Sequence, residues 1–443
     1  MASKSKIARQ GQAKQDKKVN FYLIAIPVLA FVIKLITMAN TPNGGWLGAD
    51  GENYLSGVDG LIAEGYFSEK SILSYWPAGY PILLWFLTKI SVANLLWIIS
   101  FLQSIFYAYA SYYFVKQLRD TKLRPYMFWI GIILAFNPTL SLSSMAVGYE
   151  SPIAACMLMV VGLILKSKQS PNDRGLVIRV IGVGAFSALA TFMQPRWILT
   201  TIVVAVIWAL MYKSRKVQAL ILVGVIGVMA LAPAILIQRN IASIDKAIIS
   251  TNISAALKIG TGPEASGGYN KTGPDISCES KTPGQEPTDG EFLACALKWY
   301  ATNPMKTADL TWNKSVYFWS PWMGPTANGT MARNPWLKVN PIVDIGKSSQ
   351  DGNNLVYGAV GKIISWIWIF VNLSLLFYGF WKLRKMGEIY VNISYLLMGP
   401  ILASWIAAVG TIGDHRFRIP TMSLSLVLQV IGFFALKNKV LKK

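Results

Sequence analysis

The sequence predicts an all-α polytopic membrane protein of about ten transmembrane helices, with a small extracytoplasmic domain between spans seven and eight. Three observations carry that expectation. Hydrophobic residues make up 53% of the 443-residue chain and charged residues only 14%, where a soluble protein carries about 25% charge. Several apolar runs reach the roughly 20 residues needed to cross a bilayer. The positive charge is also sorted. Basic clusters at 4–18, 116–124, 166–179, 213–216, 382–385 and 437–443 punctuate the apolar runs and hold nearly all of the net +21. Charge on alternate loops is the positive-inside pattern. It puts both termini in the cytoplasm and argues against nucleic acid as a partner.

Taken in order, residues 1–19 are polar and basic without an apolar face, and are expected to be a disordered cytoplasmic tail. An N-terminal membrane module, 20–237, follows. Its first span, 21–38, is long for a signal-peptide core and lacks a small-residue cleavage site, so it is read as retained. Lys34 near its outer end is expected to snorkel to the headgroups or to meet a lipid phosphate. The first outer loop covers 40–90, and residues 82–88 within it are too short to cross. Spans two to seven are expected at about 91–115, 126–142, 151–165, 180–193, 197–211 and 217–236. Tyr149-Glu150 and Gln194-Pro195-Arg196 form outer turns.

From 238 to 355 the chain turns polar and rich in Gly, Pro, Asn and Thr, with aromatic clusters at Trp299-Tyr300 and from Tyr317 to Trp322. It is too polar to span and too aromatic for a linker, so an extracytoplasmic domain is expected. Cys278 and Cys295 both lie there, where an oxidising compartment would permit a disulfide; Cys156 reads as a buried small hydrophobe. A C-terminal membrane module, 356–437, holds spans at about 357–381, 391–410 and 419–436, followed by a short tail, 438–443.

The unusual polar groups converge on one side of this topology. Asp50, Glu52, Glu150, Arg196, Arg239, Asn240, His415, Arg416 and Arg418 all fall at outer loop ends. Carboxylates beside apolar spans are costly to keep dry, so they mark water or a wet cavity. Asp50 and Tyr54 lie four apart, one helical turn, and the turn Pro77-Ala78-Gly79-Tyr80-Pro81 breaks the chain soon after. Arginines at one face suit bidentate phosphate recognition, and a carboxylate beside a hydroxyl can serve as general base. Each has a structural reading too: Asp50 as a helix cap, Glu150 as a dipole partner, Arg196 and Arg239 as headgroup anchors. His415 is the only histidine, which argues against a histidine-rich metal site or a histidine triad. There is no Walker loop, dinucleotide fingerprint or Cys/His metal spacing. No cofactor is called for with certainty; a divalent ion on Asp50 and a second outer carboxylate stays open.

The run Asp50-Gly51-Glu52-Asn53-Tyr54, with Leu61, Gly65-Tyr66 and the Pro77–Pro81 turn, resembles the first outer loop of C-type glycosyltransferases. The likeness is to the bacterial relatives of protein O-mannosyltransferases and lipid A aminoarabinose transferases. Asn137-Pro138 followed by Tyr149-Glu150-Ser151 resembles that family's second acidic turn. Pro195-Arg196 is similar to its Arg-Pro turn, reversed in order. Pro233 with Arg239-Asn240 and Ser250-Thr251-Asn252 is similar to the exit from its seventh span, and Arg416-Phe417-Arg418-Ile419-Pro420 to its last Arg-Tyr…Pro element. In the family the acidic pair more commonly reads Asp-Glu, whereas here Gly51 separates Asp50 from Glu52. The resemblance covers about 240 N-terminal residues and the final spans; 241–354 shows little that matches.

The resemblance implies a membrane glycosyltransferase on the outer face of a bacterial plasma membrane, moving a sugar from a polyprenyl-phosphate-linked donor to a glycan, lipid or protein acceptor. In that reading Asp50 activates the acceptor hydroxyl with inversion, with Glu52 beside it, and Glu150 orients the acceptor or a cation. Arg196, Arg239, Arg416 and Lys34 hold the donor phosphate; Tyr54, Tyr80, Asn240, His415 and Arg418 complete the substrate-binding set. A transporter or flippase of lipid-linked saccharides would need the same lipid site but no base.

Overall fold

The computed structural model describes residues 2–45, 47, 50–169, 173–268, 276–280, 287–320 and 359–440. Trp322, the rest of the expected outer domain beyond 320, and the tail from 441 lie outside them. The described chain is helical throughout, with no sheet. In order the helices are α1 (Ala2–Ala39), α2 (Gly51–Glu64), α3 (Ile72–Tyr75), α4 (Gly79–Thr88), α5 (Leu95–Gln117), α6 (Met127–Phe136), α7 (Pro138–Ser143), α8 (Glu150–Gln169), α9 (Asp173–Met193), α10 (Trp197–Leu210) and α11 (Arg215–Ile244). Three outer helices follow, α12 (Asn252–Gly260), α13 (Asp289–Thr302) and α14 (Pro304–Trp319), and then α15 (Ala359–Arg384), α16 (Glu388–Gly410) and α17 (Ile419–Val440).

Eight helices among the described residues are long and apolar enough to cross a membrane. They coincide with eight of the ten expected spans, and the protein is an all-α polytopic membrane protein. The other two are shorter. The expected span at 126–142 is split, because Asn137 turns to extended backbone ahead of Pro138 and that proline cannot continue the hydrogen-bond ladder of α6. The expected span at 197–211 is α10, whose 14 residues reach about 21 Å at 1.5 Å per residue, less than a bilayer core of about 30 Å. A second correction concerns the N-terminus. Residues 2–19, expected as a disordered tail, are helical and run straight into the first span. They are dominated by Lys, Gln, Ala and Arg, good helix formers, and extending a formed helix avoids the cost of nucleation.

Burial orders the bundle. In α8, 89% of the spanning window is buried, against 22% in α1. Its sequence explains this: Ile153 to Leu165 carries no charge and is apolar all round, which suits a helix surrounded by others. Helices α5, α9 and α17 pack around it, with Tyr107, Phe114, Val183 and Leu428 in the shared core. The outer helices have a small core of their own, Leu257, Ile276, Phe292 and Ala296, beside the Cys278–Cys295 disulfide. A Thr288/Glu291 capping box starts α13, satisfying the backbone N–H groups of both residues. This layer docks on the membrane bundle through Phe318 against Ala408, Ile412 and Phe417.

Candidate functional site

Helix α2 buries Tyr54, Gly57, Val58 and Leu61 along one stripe, and its acids Glu52, Asp59 and Glu64 point outward, exposed. Glu52 is therefore not brought to the other charged groups, and its expected catalytic role has no geometry behind it. Asp50 differs. It occupies the N-cap of α2 yet makes no capping bond. Its carboxylate instead accepts from Nη1 of Arg416 at 2.5 Å, a contact between residues 366 apart in sequence. The Asp50 side chain keeps 17% of its surface open while Arg416 keeps 3%, so the carboxylate is the accessible partner.

Arg416 lies in the 3₁₀ turn His415–Arg418 that links α16 to α17. Asp414 caps this turn, accepting the Arg416 N–H at 2.8 Å, and sits 3.4 Å from His415 Nε2. Phe417 lies between two guanidinium groups: Arg196 at 3.8 Å and Arg416 at 5.1 Å from its ring centre. Arg196 comes from the turn before α10, and its buried Nη1 makes no hydrogen bond among the described residues. Glu150 opens α8 and is buried there, where the helix dipole favours a carboxylate.

Tyrosines bind these groups into one cluster. Tyr54 packs edge-on against Tyr80 and Tyr149. Burial, then Tyr149, Asp50 and Glu150, push its phenol well above the ordinary value, with Arg416 pulling the other way. Tyr54 thus stays neutral and serves as wall and dipole, not as a base. Tyr149, whose buried hydroxyl makes no hydrogen bond among the described residues, feels Arg416, Glu150, Arg196 and Asp50 together. Tyr80 is structural: its hydroxyl accepts from the Gly148 N–H at 2.9 Å and from Gln103 at 3.3 Å, fixing the turn that presents Tyr149 and Glu150.

Besides Tyr80, four expected binding residues do other work. Arg239 and Asn240 are buried at the end of α11. Arg239 donates to the backbone carbonyls of Tyr66 at 3.2 Å and Ser68 at 2.5 Å, and to Asn240 Oδ1 at 2.8 Å. Asn240 donates to the carbonyls of Ile248 and Ile249 at 2.9 and 3.1 Å. The pair clamps the first outer loop and the chain after α11, so Arg239 has its fork committed to protein. Arg418 donates to the Trp319 carbonyl at 2.6 Å and fastens the end of α14. Lys34 neither snorkels nor joins the cluster; it is 2% exposed and lies 4.9 Å over the Tyr107 ring.

Sequence reasoning missed Asp414, Phe417, Tyr149 as a site wall, and Lys314. Lys314 is buried in α14 and donates to Tyr300 Oη and to the Val409 carbonyl, both at 2.9 Å. Its signal was present: Leu310, Lys314 and Phe318 recur every fourth residue and are all buried, the stripe of an inward helix face.

Among the described residues no three His, Cys, Asp or Glu side chains gather as metal ligands. Asp50 and Glu150 alone are fewer oxygens than a dedicated cation cage supplies, and no step below is routed through an ion.

No family model matches the chain, and no curated protein matches it. Among solved structures it is similar to the archaeal oligosaccharyltransferase AglB from Archaeoglobus fulgidus in complex with an inhibitory peptide and a dolichol-phosphate. That match has 13% identity and a TM-score of 0.49 over 95% of this chain and 51% of that one. The apo form of the Archaeoglobus fulgidus oligosaccharyltransferase gives 13% and 0.48 over the same shares. The chain spans about half the length of these proteins.

Proposed function

We propose that the protein is an integral membrane glycosyltransferase of the C type, using a polyprenyl-phosphate-linked sugar at the end of the bundle opposite the basic clusters. The observation that carries this is the pairing of an accessible carboxylate with clustered arginines. Asp50 meets Arg416, and Arg416 shares Phe417 with Arg196, whose buried nitrogen has no described partner. This arrangement supports reading Asp50 as a general base beside a phosphate locus, with Glu150 and Tyr149 in the same cluster.

In the reaction Asp50 takes the proton of the acceptor hydroxyl. The acceptor oxygen forms its bond to the anomeric carbon as the bond from that carbon to the phosphate oxygen breaks, with inversion. The leaving polyprenyl phosphate carries away the electron pair, its negative charge held by Arg196 and Arg416, and the proton on Asp50 passes to water. Phosphate at Arg416 competes with Asp50 for the guanidinium, so donor binding loosens the ion pair and frees the base. The proposed orientation places this site and the disulfide outside a bacterial plasma membrane and both termini in the cytoplasm.

The test is release of polyprenyl phosphate from a panel of polyprenyl-phosphate sugars by purified protein. Arg196→Lys keeps the charge and loses the fork, and should raise the donor KM about tenfold or more. Binding of the donor without release of polyprenyl phosphate, against any acceptor, would establish a carrier instead.

A further inference from the structure

A cavity lies at the basic end of the spanning part of α1, away from the Asp50–Arg416 cluster. It sits between α1, α5 and α6 and has a volume of about 350 Å³, within the size range of ligand pockets and well above the roughly 150 Å³ that takes a benzene-sized guest. Its walls are apolar: Leu23, Ile26, Val115, Met127 and Gly131 among them. The space exists for two local reasons. Pro27 lies within α1 and has no N–H to offer the carbonyl of Leu23, and Gly131 presents no side chain, so that a Cβ there would meet only Ile26 Cδ1, at 3.6 Å.

Not all of the lining is apolar. Arg124 and Tyr112 also line the cavity, and the Lys116 ammonium lies 5.6 Å over the Tyr112 ring. These cations belong to the 116–124 basic cluster. A hydrocarbon slot between membrane helices, flanked by cations, matches a ligand with an apolar tail and an anionic head. Basic pockets between spans at the positively charged side of a membrane protein hold the head groups of anionic lipids.

We propose that this cavity binds an anionic phospholipid of the leaflet at the basic end, one acyl chain in the slot and the phosphate against Arg124 and Lys116. A polyprenyl-phosphate donor does not fit both places. The spanning part of α1, Val19–Ala39, is about 30 Å long at 1.5 Å per residue, and a donor with its phosphate at the far end cannot also place it at Arg124. This site is independent of the reaction proposed above. Its occupant would tie α6, a helix too short to cross alone, to the two neighbours that do cross.

The experiment uses full-length protein extracted in mild detergent, with native mass spectrometry for retained lipid and melting with added phosphatidylglycerol or phosphatidylcholine. Wild type is expected to retain phospholipid of anionic head group and to melt higher with phosphatidylglycerol than with phosphatidylcholine. Arg124→Gln, which removes the head-group cation, and Gly131→Leu, which fills the slot, are each expected to lose both signals. Formation of the Cys278–Cys295 bridge and an unshifted lipid-free melting temperature serve as folding controls, and either variant suffices if the other fails them. Equal response to the two lipids, variants that keep the preference, or a polyprenyl phosphate as the retained species would each overturn the proposal.

Discussion

Asp50 stands where a helix cap would, and its behaviour as a side chain is what separates two roles. An Asn caps a helix about as well as an Asp, but Asp50 makes no capping bond to lose. Asp50→Asn leaves an oxygen to accept from Arg416 while removing the proton acceptor. Transfer should fall by about 10²- to 10⁴-fold, the usual loss of general-base assistance, with a melting shift of no more than about 1–2 kcal/mol from the weaker bond. Retention of more than about a tenth of the activity would be inconsistent with a base. Arg239 should give the opposite profile. Its substitution by Ala orphans the carbonyls of Tyr66 and Ser68, costing on the order of 3 kcal/mol. Lys cannot repair it, since one ammonium does not reproduce the fork. Melting and proteolysis in the 65–75 loop should register the change while the donor KM of the surviving enzyme stays put. A specific rise in KM would return Arg239 to the donor site.

At the scale of elements, the joint that ties α14 to α13 and to the end of α16 is the part with a pH response. Burial lowers the Lys314 ammonium from 10.5 to about 7. The unfolded chain then binds this proton up to about 10.5 and the folded chain only up to about 7, so between those values the unfolded state holds more protons and stability rises with pH. Below about 7 the lysine is charged in both states, and the full cost of burying the charge is present. Melting at low ionic strength should climb between pH 7 and 10 in a Lys314-dependent way, and Lys314→Met should flatten that increment. An unchanged pH slope in the variant would show that another group titrates. The outer layer has its own restraint. Cys278 and Cys295 lie 17 residues apart, a loop whose closure is worth about 3 kcal/mol. Cys278→Ser should lower the protease resistance of α13 by that order and leave the membrane bundle's melting unchanged; a joint loss would mean the layers fold as one unit.

Across the whole molecule, the legible features were those written in composition. Apolar runs and sorted charge yielded eight spanning helices where they lie, because burial in lipid needs only length and hydrophobicity. The pairing of Asp50 with Arg416 is not written that way: two residues at opposite ends of the chain share no local pattern, and the topology set them only on the same side of the membrane, among seven other polar groups. Arg239 misled for a physical reason. An arginine that serves backbone carbonyls looks, in sequence, the same as one waiting for phosphate, since its partners have no side-chain identity. Span three is split because hydrophobicity continues across Asn137-Pro138 where the helix does not, and span six is apolar throughout its 14 residues but short.

The disulfide has a use beyond holding α13. A structural disulfide forms and persists in an oxidising compartment and is rare in a reducing one, and this one belongs to the outer helices that dock on the bundle through Phe318. It therefore records which way the chain went into the membrane. In the proposed orientation every correctly inserted molecule is oxidised at this pair, and an inverted one keeps two free thiols. Alkylation with a mass tag before and after reduction would count the two populations on a gel, with no antibody, added tag or activity assay. Mutants that disturb the charge sorting of the basic loops could be scored for misinsertion by this native marker.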